Sequence, residues 1–161
     1  MTHDRSLAEP AFPDDDGTVD PALAEALGDD TRVLAVIGDV RVFVPVIALL
    51  GDTPSESDNP PQAGGAPKAD HMAAVLMTGA DGRTALLAFS SVTTMAAWNA
   101  DARPVPVWGR DAARAALGED ASALLLDLAA PTFTVVETSD VEHLAAGHRL
   151  VTTDAGPAWL A

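Results

Sequence analysis

Cysteine is absent from this chain of 161 residues, which excludes disulfide scaffolds, thiolate nucleophiles and Cys-ligated zinc or iron–sulfur centres. Tyrosine is absent too. Aromatic residues make up only 4% of the sequence, so platforms for stacking nucleobases are poorly supplied. Positive charge is scarce: nine Lys and Arg stand against 24 Asp and Glu, and the resulting −15 repels both phosphate backbones and anionic lipid surfaces. Lys68 is the single lysine, a usage that fits GC-rich coding. A long apolar run is also missing. The nearest to one, Val33 to Leu50, is broken by Asp39, Arg41 and Pro45, which a membrane-spanning helix would rarely carry. The opening MTHDRSLAEPAF lacks the basic start and apolar stretch of a signal peptide. These absences predict a cytoplasmic protein with no nucleic-acid and no membrane partner.

What remains is long enough for one domain with a real core. The acid is uneven: Met1 to Asp30 holds nine Asp and Glu and one base, Arg5, and so contributes −8 of the −15. Met1 to Val19, with Pro10, Pro13 and three consecutive Asp at 14 to 16, predicts a disordered acidic tail. Asp20-Pro21 reads as an N-cap followed by proline at the first helical position, with Leu23, Ala24 and Leu27 on one face and Gly28 as the stop. Val33 to Gly38 is too short to tell helix from strand by period. Arg41 to Leu49 is β-branched and apolar on both faces, a strand inside a sheet, with Pro45 marking an edge or a bulge. Gly51 to Asp70, rich in Pro, Gly, Ser and Asp, predicts a flexible loop between paired strands.

The stretch from Asp81 to Gly109 carries the most information. Asp81-Gly82 signals a hairpin turn between the strands His71 to Met77 and Arg83 to Phe89. Ser90-Ser91 then offers a hydroxyl cap to a helix over Val92 to Trp98, whose Val92, Met95 and Ala96 share a face. Arg103 to Val107, with two prolines, predicts an edge strand or extended connector. Arg110 to Leu117 is an Ala-rich helix closed by Gly118. Two more strands follow, at Ser122 to Asp127 and Thr132 to Glu137. Ser139 and Glu142 fit a capping box for a helix ending at Gly147, and His148 to Ala161 is a tail that docks or is free. The sum is an α+β domain over residues 20–147, a mixed sheet with helices packed on it.

The runs ALLAFSSVTTMAAWN and ARPVPVWGRDAARAALGEDASALLLDLAAP resemble the SseB N-terminal-domain family, in the form common in GC-rich actinobacteria. The likeness runs from about Asp20 to Gly147 and is clearest over Leu86 to Trp98 and Ala102 to Pro131. Ser90 stands where Thr is usual, and Leu128 where Pro is frequent. The resemblance implies an α+β fold and almost no chemistry, because the activity of the family is not established. Nothing in the chain is similar to a secretion translocon, since it has neither a long heptad pattern nor a membrane span.

Candidate chemistry is thin. His143 and His148 lie five positions apart with Gly147 between them, a spacing that predicts imidazoles pointing apart and no metal site. Ser90 and Ser91 sit on a strand-to-helix turn, yet the flanking Phe89 and Val92 lack the glycines of an esterase elbow, so capping is the expected duty. Asp81 and Asp127 stand at strand ends, where carboxylates serve turns or catalysis. Arg110 and Arg114 share a helix face near Arg103 and suit an anion, or the chain's own Asp101, Asp111 and acidic tail. Trp98 and Trp108 flank the Pro-rich segment, so Arg103, Pro104, Val105, Pro106, Val107 and Trp108 form a candidate surface for a protein partner. No cofactor is expected. The sequence thus predicts a noncatalytic interaction or regulatory module. The alternative is a small-molecule-binding protein or enzyme that uses the Arg cluster with a strand-end Asp.

Overall fold

Asp20 and Pro21 start the first helix as their residue types predict: the Asp20 carboxylate accepts from the Ala22 N–H at 2.9 Å, ahead of α1 (Pro21–Ala26). A computed structural model describes residues 12–49 and 71–161, so the expectations for residues 1–11 and for the Gly51 to Asp70 loop lie outside the described residues. The ambiguous run after α1 is helical, because Asp29 caps the Arg32 N–H at the start of α2 (Asp30–Val36), which tightens into a 3₁₀ turn over Ile37–Asp39. The other elements are β1 (Arg41–Leu49), β2 (His71–Ala74), β3 (Leu76–Thr78), β4 (Thr84–Ala88), α3 (Val92–Trp98), β5 (Arg103–Trp108), α4 (Gly109–Gly118), β6 (Ala123–Leu126), β7 (Thr134–Glu137), α5 (Thr138–Ala145), β8 (Arg149–Thr153) and β9 (Gly156–Leu160). This is an α+β fold.

The strands form an antiparallel sheet in the order β2-β1-β5, a mixed sheet in the order β3-β4-β6-β7 with β4 and β6 parallel, and the hairpin β8-β9. Phe43 and Phe89 exchange two backbone hydrogen bonds, at 2.7 and 2.8 Å, and so join the first two sheets. Pro45 is neither at an edge nor in a bulge. It lies in the middle strand, where its missing N–H falls opposite Val75, the residue between β2 and β3. Val75 donates to the Pro45 carbonyl, and its own carbonyl accepts from Leu87 instead. The proline thus sits where the neighbouring strand changes partner.

One face of the sheets carries the main core. Leu23, Val33, Ile37, Val141 and Leu144 from the helices close over Val42, Val44, Leu86, Leu124, Leu126 and Val136. Ala112, Ala113 and Ala116 let α4 approach closely, and Gly109 is tighter still, because a Cβ there would stand 1.7 Å from the Ile37 carbonyl oxygen. The opposite face holds Phe43, Leu87, Phe89 and Met95, with Trp98 packed against them. In β7 the buried side is Thr134 and Val136, leaving Val135 exposed along with Phe133 just ahead of the strand.

Four more expectations are corrected. Phe12 to Val19 is not a free tail: the Asp15 carboxylate bonds the buried Arg41 guanidinium, and the Gly17 carbonyl accepts from Val92 N–H at 2.9 Å, so the acid that argued against order supplies a counter-ion. On α3 only Met95 is buried, while Val92 and Ala96 face outward. Helix α4 runs through Gly118, and Asp120 takes the left-handed conformation after it, φ 55°. The Ser139–Glu142 box does not form, because α5 already begins at Thr138, whose hydroxyl donates to the Ser122 carbonyl. Of the two courses open to residues 148–161 the chain takes docking, since β8-β9 is held through the buried Leu150 and through Trp159, stacked on His143 with ring centroids 4.9 Å apart and donating to Asp140.

Candidate functional site

β5 is an edge strand, and its register with β1 decides what the edge offers. Phe43 exchanges its bonds with Phe89, so Val42, Val44 and Val46 turn their backbone groups the other way, toward Val107, Val105 and Arg103. Gly109 N–H donates to the Val40 carbonyl at 2.9 Å, in step with that alternation. Pro104 and Pro106 therefore point outward with carbonyls and no N–H. Proline at the outward positions costs no ladder bond and removes donors from the edge. Val105 is 38% exposed, although Val44, its partner across the ladder, is buried in the core. Trp108 is half-buried, with Phe12 edge-on at 4.8 Å and the Arg110 guanidinium 5.6 Å from its ring centre. Trp98, by contrast, packs on Phe89 at 5.5 Å on the second core.

The three candidate arginines do not converge. Arg110 pairs with Asp39 at 3.1 Å, while Arg114 pairs with Asp111 at 2.7 Å and donates to the Ala145 carbonyl at 2.9 Å. Arg103 makes no ion pair among the described residues. Arg149, which sequence reasoning passed over, reaches the other oxygen of Asp39 at 3.4 Å. Arg110, Arg149, Asp39 and His148 line a small cavity of about 40 Å³. The histidines are also corrected: their Nδ1 atoms approach to 2.8 Å, because Gly147 at φ 80° turns the chain back toward α5. One of the two rings must donate and the other accept.

The densest polar cluster was only half visible in the sequence. Ser91 caps α3 and shares a capping box with Thr94. Ser90 is buried, and its N–H and hydroxyl both donate to Asp127, at 2.8 and 2.6 Å, with the Thr94 hydroxyl adding a third bond at 2.9 Å. Asp127 is 1% exposed and holds φ 57°, a left-handed conformation that Asp tolerates. Next to it, Arg41 is 7% exposed: it grips Asp15 through Nε and Nη2 at 2.8 Å each, and donates to the Ser90 carbonyl at 2.9 Å and to the Thr18 carbonyl. Its guanidinium lies 4.1 Å from the Phe43 ring centre. The signal for this network was an arginine leading a strand of apolar residues, a charge that needs a partner to be buried. Asp81 serves its turn by accepting from the Arg83 N–H at 3.0 Å. Arg83 is held above its ordinary pKa by the hydrogen bond to Glu137 across the sheet. Asp16 is held below its ordinary value by the Thr18 hydroxyl and N–H that bond its carboxylate.

The family model described as SseB protein N-terminal domain matches residues 19–143, well over half of the chain. Comparison with curated proteins and with solved structures returns no match. The match contains β1, β5 and the Ser90–Asp127 cluster, and it leaves the Phe12 turn and the β8-β9 hairpin outside.

Proposed function

The chain belongs to the SseB N-terminal-domain family, and from that premise we propose that it works as a noncatalytic protein-interaction or regulatory module whose contact surface is the β5 edge, Arg103 to Trp108. The observation that carries this reading is the edge itself, an outer strand with an exposed Val105 and an aromatic at its end. The polar groups that resemble reactive ones are engaged elsewhere: Ser90 and Asp127 are buried and bonded to each other. The second class, a small-molecule-binding protein or enzyme, needs the arginines to meet a strand-end Asp. Arg110 and Arg114 instead pair with Asp39 and Asp111.

Val105→Glu tests the reading, because it places a charge on the exposed edge without emptying a core position. The wild-type chain is expected to retain a stoichiometric protein from a native lysate. The variant is expected to lose that protein while its Tm stays within about 2 °C, as for most surface changes. Retention of the same protein by a folded variant would remove the β5 edge from consideration.

A further inference from the structure

Among the described residues no strand pairs with the outer edge of β5, and that edge is chemically one-sided. From Arg103 to Val107 its outward backbone groups are the carbonyls of Pro104 and Pro106, acceptors with no N–H beside them. An added β-strand alternates donors and acceptors, so half of its groups facing this edge would go unmet. A guanidinium carries five donors and no acceptor, and such an edge suits it.

Next to the edge, on the face away from the main core, lies a groove of about 290 Å³ walled by Phe12, Phe43, Val92 and Pro106 and bordered by Asp15 and Asp16. Both Asp15 oxygens are taken by Arg41. Asp16 is different: Thr18 bonds only its Oδ1, and Oδ2 has no hydrogen-bond partner among the described residues. Arg103 stands at the far end of the strand and repels a cation there, so a cationic side chain is favoured at the Pro106 end. The chain's −15 adds a long-range attraction for a basic partner.

Given the reading of β5 as a contact edge, we propose that its partner is an extended, arginine-bearing peptide segment. Its guanidinium donates to the outward Pro106 carbonyl and to Asp16, and a neighbouring apolar side chain enters the groove between Phe12, Val92 and Pro106.

The test is an amide-shift titration of the full chain with a six-residue peptide alternating arginine and valine, and with a twin in which citrulline replaces arginine. Citrulline keeps the shape and loses the charge. The arginine peptide is expected to move the amides of Gly17, Val92, Val105 and Trp108, to weaken as salt rises, and to bind about tenfold more tightly than its twin. Asp16→Asn, which preserves the acceptor for Thr18, is expected to weaken the arginine peptide several-fold, about the effect of one charge-assisted bond, and to leave the twin unchanged. Equal binding of both peptides at these amides would overturn the arginine preference while leaving the contact edge standing. Shifts confined to other surfaces, or none at millimolar peptide, would overturn both. Shifts of the same amides with protein concentration alone would assign the edge to a second copy and overturn the proposal.

Discussion

Asp127 gathers three donors into a site closed to water, and its carboxylate thereby fixes the end of β6 to the start of α3. Asp127→Ala would leave the Ser90 N–H and hydroxyl buried without partners, at a cost of about 2–4 kcal/mol. Asp127→Asn keeps an acceptor oxygen and tolerates the left-handed backbone, so its loss is expected to be less than half as large. Thermal melts of the two variants decide the point, and equal losses would show that these bonds are not what holds the site. Gly109 makes a second prediction at this scale: with the Ile37 carbonyl oxygen 1.7 Å from the place a Cβ would occupy, Gly109→Ala forces α4 off the 3₁₀ turn and costs about 3 kcal/mol, read as a lowered denaturant midpoint. Neither role was legible residue by residue. Asp127 reads as a strand-end carboxylate and Gly109 only as the residue that hands over to the Ala-rich helix, because the atoms that define their duties arrive from distant parts of the chain.

Elements were more legible, for a physical reason that differs from one to the next. Asp20-Pro21, Ser91 and the Asp81-Gly82 turn act through neighbours within three residues, so their caps and turn could be read directly. The Ser139–Glu142 box has the same local form but loses to the bond between the Thr138 hydroxyl and the Ser122 carbonyl, which starts α5 earlier. Pro45 is harder, since its tolerance inside a central strand depends on the switch between β2 and β3 at Val75. The prolines of β5 carry a prediction of their own. Their outward positions deny the edge its donors, so Pro104→Val with Pro106→Val restores two outward N–H groups and creates a ladder edge able to pair with another chain. The double variant is expected to associate with rising concentration in sedimentation velocity more than the wild type does. Unchanged sedimentation would show that the prolines do not guard this edge. The β8-β9 hairpin went unread because its anchor, Trp159 on His143, is a contact that the Gly147 turn makes possible.

At the scale of the whole molecule the decisive quantity is charge, and it was fully legible because it needs no fold. Folding alters only which cations remain for a ligand. Arg41, Arg83, Arg110, Arg114 and Arg149 are committed to Asp15, Glu137, Asp39, Asp111 and again Asp39, so among the described residues only Arg32 and Arg103 stand outside ion pairs. Those two do not make a stripe: Arg32 lies on α2 and Arg103 at the start of β5. Clustered Lys and Arg bind a duplex by displacing the counterions of its phosphates into solution, and here each approach meets a net −15 instead. At about 0.15 M salt the Debye length is about 8 Å, so the repulsion acts mainly at close approach, where phosphates would have to dock. Lowering the salt lengthens its reach and opposes binding further, the reverse of the behaviour of a DNA-binding protein. The purified chain is therefore expected to leave the fluorescence anisotropy of a labelled 20-base-pair duplex unchanged at both low and physiological salt. A rise in anisotropy that grows as salt is removed would overturn the electrostatic reading, and with it the expectation that the partner is basic.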